Sequence, residues 1–180
     1  MNYLRTSFGI TLLVCLLLVG IAAAAPFAYI PNFGSDNVSV IDTGTNSVTA
    51  TVPVGGQPIG VAVTPDGTKV YVANREDDTV SVINTGTNTV TAIVPVGTLP
   101  YGVAVNPAGT KVYVVNGFGT VSVIDTGTNS VTATVPVGPW PYGVAVTPDG
   151  TKAYVTNSFP SGTVSVIDTG TNSVTATVPV

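Results

Sequence analysis

The chain contains no histidine, and only one cysteine, one methionine and one tryptophan in 180 residues. Without histidine, no Ser-His-Asp or Cys-His arrangement can be assembled, nor a zinc, iron or haem site of the usual kind. Charge is also scarce, at 8% of residues. Beyond residue 25 the cations are Lys69, Arg75, Lys111 and Lys152. They face nine acidic residues, which leaves five negative charges in excess. No basic stripe exists to follow a phosphate backbone, so nucleic acid is excluded as a partner. No phosphate-cradling glycine loop lies between a strand and a helix. After residue 25 no helical period appears at all. High Val and Thr with little charge is the reverse of a disordered composition.

The first 25 residues read as an export signal. Arg5 supplies the positive start, residues 10–18 are apolar, and Ala22-Ala23-Ala24 offers a small-residue cleavage site. Removal after Ala24 leaves an exported chain in the periplasm, outside the cell or on its surface. The alternative is a retained anchor, because residues 9–25 approach a short membrane span; the membrane enters no other way. Cys15, the lone cysteine, falls in this segment, so the remainder has no disulfide and no thiol chemistry. No cofactor is expected.

What the chain has in abundance is repetition. Tyr29-Ile30-Pro31-Asn32 returns as Tyr71-Val72-Ala73-Asn74, Tyr113-Val114-Val115-Asn116 and Tyr154-Val155-Thr156-Asn157, at spacings of 42, 42 and 41 residues. A fixed period of this size marks one supersecondary unit copied along the chain. In the second unit, residues 59–63, 69–73, 79–83 and 90–94 are short Val- and Thr-rich runs bounded by Gly, Pro and Asn, which predicts four strands, a to d. Four antiparallel strands per unit predict an all-β chain of β-propeller blades. The domain covers residues 26–180, with units at roughly 27–54, 57–96, 99–137 and 140–180. The first unit lacks its inner strand a, so about four blades form an open or partial ring. Both faces of strand a are apolar, as blades stacked face to face require.

Three motifs recur in order. They are Pro-x-Gly-Val-Ala-Val-x-Pro-x-Gly-Thr-Lys, the tyrosine tetrapeptides, and Val-Ser-Val-Ile-Asp/Asn-Thr. In these the chain resembles the YVTN-type β-propeller repeat family of surface-layer and exported proteins. The resemblance covers residues 27–180. It implies an extracytoplasmic propeller, often of seven blades, usually without assigned chemistry. Four units depart from that number. A longer gene, two chains pairing into an eight-bladed ring and an open arc are the three explanations, and open ends invite association.

The repeats control for one another. Residues 38–54, 121–137 and 164–180 are identical. A residue present in every unit serves the fold; a single site needs residues that occur once. Asp66 and Asp149 are matched by Ala108, which discounts a calcium ligand. Asp42, Asp125 and Asp168 are matched by Asn84, which points to Asx turns. The repeated tyrosines read as packing between blades. Variation concentrates in the b–c and d–a connections, which share one face of an up-and-down disc, and binding residues favour such loops. The candidates there are Trp140, Tyr142, Tyr101, Phe33, Phe118 and Phe159, as one aromatic patch or as caps on the core, together with Arg75 and Asp77 in the one charge cluster, a partner contact or a solvated hairpin tip. Asn37 fits an N-glycosylation sequon. These features point to a non-catalytic exported module for surface structure or for protein or glycan binding. The alternative is a fragment of a larger propeller enzyme, lactonase-like or quinoprotein-like, with its catalytic residues outside this chain.

Overall fold

The computed structural model describes residues 27–158 and 162–180. The N-terminal segment with Cys15, and Phe159, lie outside those residues. The repeated Val/Thr runs all form strands, and no helix occurs among the described residues. The first sheet is β1 (Phe27–Asn32), β2 (Asn37–Asp42) and β3 (Ser47–Pro53). The second is β4 (Pro58–Val63), β5 (Lys69–Asn74), β6 (Thr79–Asn84) and β7 (Thr89–Pro95). The third is β8 (Pro100–Val105), β9 (Lys111–Asn116), β10 (Thr120–Asp125) and β11 (Ser130–Pro136). The fourth is β12 (Pro141–Val146), β13 (Lys152–Asn157), β14 (Thr163–Asp168) and β15 (Ser173–Pro179). Each sheet is an antiparallel meander in chain order, so the fold is a β-propeller of four-stranded blades whose first blade has three strands.

Turn chemistry starts and stops each strand. Asn46, Asn88, Asn129 and Asn172 hold left-handed backbone (φ 50–53°) in the c–d turns, where Asn is tolerated better than most residues. Strand b ends on the tetrapeptide Asn. Asn74 donates from Nδ2 to Thr79 Oγ1 and Ser81 Oγ, both at 2.9 Å, and thereby pins strand b to strand c. Asn116 and Asn157 repeat the bond pair. This tie carries β5 one residue beyond the sequence expectation, to Asn74 paired with Thr79.

The core is three apolar layers, one between each pair of successive blades. Tyr29, Val38, Val40 and Val52 of the first meet Val70, Val72 and Ile83 of the second. Tyr71, Val80, Val82 and Val94 meet Val112, Val114 and Ile124. Tyr113, Val121, Val123 and Val135 meet Ala153, Val155 and Ile167. Each buried Val contributes about 1.5–3 kcal/mol, so stability resides between blades. Tyr29, Tyr71 and Tyr113 pack between blades, as their repetition predicts, whereas Tyr154 is 40% exposed. Tyr71 is fully buried, and its hydroxyl donates to Asn129 Oδ1 of the next blade at 3.0 Å. Burial, reinforced by Asp125 and Asp66, pushes its pKa to about 12.

Inner strands β4, β8 and β12 bulge at the same place. Register with strand b shifts between Pro58 and Val61, between Pro100 and Val103, and between Pro141 and Val144. At the bulge the backbones of neighbouring blades touch. A Cβ on Gly60 would overlap the Tyr101 carbonyl oxygen, and one on Gly102 would sit 2.7 Å from the Tyr142 carbonyl oxygen. Glycine is there for close approach.

Candidate binding face

The hydrogen bonds separate two faces. On one, the a–b and c–d turns join: Thr85, Thr126 and Thr169 donate backbone N–H to the carbonyls of Thr68, Thr110 and Thr151. Asp42 Oδ1 accepts from Gly44 N and Thr45 N there, and Asn84 Oδ1 accepts from Gly86 N and Thr87 N. A neutral amide does the same work as a carboxylate, as the Asx-turn reading requires. The N–H donors hold Asp42, Asp125 and Asp168 below the ordinary carboxylate value, the Thr45, Thr128 and Thr171 amides first among them. Asp66 and Asp149 are lowered chiefly by the hydroxyls of Thr64 and Thr147.

On the opposite face the d–a links are bonded to neighbouring b–c loops, and in the first two the bonds include aspartate side chains. For the link at residues 55–58, Asp36 Oδ1 of the first blade accepts from Gln57 N at 3.0 Å. Asp77 Oδ2 of the second accepts from Gly56 N at 2.8 Å. For the next link, Asp78 Oδ1 accepts from Leu99 N at 2.8 Å. The backbone bends alike with or without that carboxylate: Gln57, Leu99 and Trp140 share left-handed backbone at φ 52°, 53° and 49°, opposite Asp36, Asp78 and Gly119 at 52°, 55° and 80°. Strain at Trp140 therefore comes from the repeat and does not mark a site by itself.

In the charge cluster Asp77 is exposed, as a hairpin tip is expected to be, and its Oδ2 accepts from Gly56 N. Arg75 is half-buried and bonded. Its guanidinium donates from Nε to Tyr101 Oη at 3.1 Å and from an Nη to Gln57 Oε1 at 2.7 Å, with its carbon 5.4 Å from the Tyr101 ring centre. Gln57, Asp36 and Asp78 were not singled out in the sequence. The available signal was the exchange of Asp36 and Asp78 for Gly119 and Gly162, the mark of left-handed backbone.

Four of the described aromatic candidates form two ring pairs. Tyr101 and Tyr142 pair at 5.1 Å between ring centres. They line an axial groove of about 280 Å³ with the bulged Ile59-Gly60, Gly102 and Gly143. Phe118 and Trp140 pair separately at 6.0 Å. They wall a cleft of about 370 Å³ with Gly117, Gly119, Val137 and Pro139. Phe33 is half exposed and makes no ring contact among the described residues. Asn37 is held on both sides of its amide: Nδ2 donates to the Ser35 carbonyl, and Oδ1 accepts from Asn32.

The third link is the exception. Gly119 stands where Asp36 and Asp78 supply a carboxylate, so the aspartate clip is absent. In its place lies the Phe118–Trp140 cleft, with Trp140 50% and Phe118 67% exposed. The b–c loop gives up its carboxylate, and Phe118 on that loop and Trp140 on the link are both exposed. Among the described residues no three His, Cys, Asp or Glu side chains gather as a metal cluster.

No family model matches this chain, and no curated protein matches it. Solved structures do. It is similar to the hydrazine synthase of Kuenenia stuttgartiensis at 29% identity and TM-score 0.83, over 86% of this chain and 46% of that one. It is similar to a functionally unknown protein from Desulfotomaculum acetoxidans at 21% identity and TM-score 0.72, over 86% and 54%. It is similar to the dihydro-heme d1 dehydrogenase NirN, in complex with DHE, at 15% identity and TM-score 0.67, over 85% and 37%. The last two likenesses concern the fold alone. The chain spans about half or less of each of these structures.

Proposed function

We propose that this is an exported, non-catalytic propeller module of the YVTN type, at the cell surface or in the periplasm, that binds a protein or glycan. Binding uses the face of b–c and d–a connections. The observation that carries this reading is the Phe118–Trp140 cleft, the one link that gives up its carboxylate clip. Its volume of about 370 Å³ lies in the range of small-ligand pockets. Flat exposed rings stack on the apolar face of a sugar or on a proline at little entropic cost. The rigid meanders beneath hold both rings in place.

Trp140 is the sole tryptophan, so its emission reports the cleft directly. Oligosaccharide and proline-rich peptide panels should include a ligand that shifts this emission. Phe118→Ala should weaken that ligand at least tenfold, or about 1.4 kcal/mol. Calorimetry showing full affinity in both Phe118→Ala and Trp140→Ala would end this reading.

A second reading rests on length. Two of the similar structures carry enzyme names, and the chain spans less than half of each. On that reading the chain is part of a larger propeller enzyme whose chemistry lies elsewhere. Coding sequence continuing past Val180 into Pro-x-Gly-Val-Ala-Val, with His or clustered Glu beyond, would decide for it.

A further inference from the structure

Tyrosine is the aromatic residue this chain uses most, seven in all. Tyr71 and Tyr113 are fully buried and Tyr29 nearly so. Tyr101 and Tyr142 differ. Tyr101 is half-buried and Tyr142 is exposed. Among the described residues they are the only tyrosines whose rings meet, at 5.1 Å between centres and 34° between planes.

Their place in the fold explains the pairing. Each is the second residue of an inner strand, Tyr101 in β8 and Tyr142 in β12. The backbones of these strands touch at that point: a Cβ on Gly102 would sit 2.7 Å from the Tyr142 carbonyl oxygen. In β4 the same position is Ile59, so among the described residues one blade boundary carries two phenols. Arg75 fixes the Tyr101 ring, through the Nε bond to its Oη at 3.1 Å and through its face. The groove of about 280 Å³ runs beside both rings and admits a small oxidant.

We propose that Tyr101 and Tyr142 are an oxidative modification site, at which hydrogen peroxide and a one-electron oxidant of the peroxidase class join the two rings as a dityrosine. Each phenol gives up one electron and its hydroxyl proton and becomes a phenoxyl radical. Its unpaired electron lies partly on the ring carbons beside the oxygen. One such carbon of each ring forms the new C–C bond. The hydrogen on each of these carbons then moves to the oxygen, which restores both aromatic rings. Two hydrogen atoms are lost in sum, and one hydrogen peroxide takes them up as two waters. Ring contact selects the pair, because reactants already held together need no encounter. The Arg75 N–H bonds the Tyr101 oxygen in the phenol and in the radical alike. With a single cysteine the chain has no internal disulfide; this bridge ties β8 to β12 without one.

The test treats the dilute full chain with peroxidase and hydrogen peroxide, and reads intact mass, blue dityrosine emission and a peptide map. A single-chain product lighter by two hydrogens should form, with residue 101 joined to residue 142. Tyr142→Phe removes only the hydroxyl of an exposed side chain, so the fold is kept, and this product should be lost entirely. Tyr154→Phe alters a tyrosine that is 40% exposed and has no ring partner among the described residues, and should retain the product. Absence of a single-chain product lighter by two hydrogens overturns the proposal. So does a product that survives Tyr142→Phe, a bridge that maps to another pair, or oxygen added to Trp140 with no bridge formed.

Discussion

Gly60, Gly102 and Gly143 hold the same place in three copies of one motif, yet alanine should affect them very differently. At Gly60 the new Cβ would overlap the Tyr101 carbonyl oxygen, with the Tyr101 carbonyl carbon and Val103 Cγ2 each at 3.1 Å. At Gly102 it would lie 2.7 Å from the Tyr142 oxygen and 3.1 Å from Gly143 Cα. An ordinary C···O contact is ~3.3 Å or more, so this oxygen is about 0.6 Å too close. At Gly143 the only neighbour is the rotatable Thr156 Oγ1 at 3.3 Å. Overpacking against backbone costs about 1–3 kcal/mol, while alanine returns about 0.4–1 kcal/mol by restricting the unfolded chain. We expect Gly60→Ala to destabilise by about 3 kcal/mol and Gly102→Ala by about 1–2 kcal/mol. Gly143→Ala should stay within about 0.5 kcal/mol of the parent. Urea titration reads this directly: with a slope near ~2 kcal/mol/M the Gly60 midpoint falls by about 1.5 M. A fall in slope instead would show blades melting separately. Equal costs at all three glycines would refute the reasoning, because only the proximity of the next blade distinguishes them.

Two further outcomes use the repeats in the same way. The triple substitution Asp42→Asn, Asp125→Asn and Asp168→Asn should leave the neutral-pH urea midpoint nearly unchanged, since Asn84 already makes the turn. The three carboxyl groups are held below their ordinary value of 3.8 in the fold. Their contribution is present above that value and lost as pH falls through the lowered ones, so the triple variant should resist acid better below about pH 4. Lys69→Met removes the bond to the Thr126 carbonyl across a blade boundary and should cost about 1 kcal/mol in thermal or urea melts. Lys152→Met should cost less, because among the described residues Lys152 makes no such bond to a c–d turn of a following blade.

The propeller was legible because the same apolar pattern is written four times, and copies reveal which residues the fold requires. Tyr71 and Tyr113 read as interblade packing and are buried there. Asp42 and Asn84 read as turn formers and make the same pair of bonds. The variable face was legible from topology, since alternate connections of a meander lie on alternate sides. Contacts between variable residues were not. Arg75 and Tyr101 are 26 residues apart and join through a direct hydrogen bond and the ring face. Asp77 looked like a loose loop acid and fastens Gly56.

The sequence by itself determined strand, turn and blade, because period, valine content and turn residues are local properties that each unit satisfies alone. Only the tertiary structure decided which side chains meet. It set Tyr101 against Tyr142, set Phe118 against Trp140, and bonded acidic loop residues to the links. Those pairings depend on how one blade sits against the next, which the pattern of a single unit does not encode.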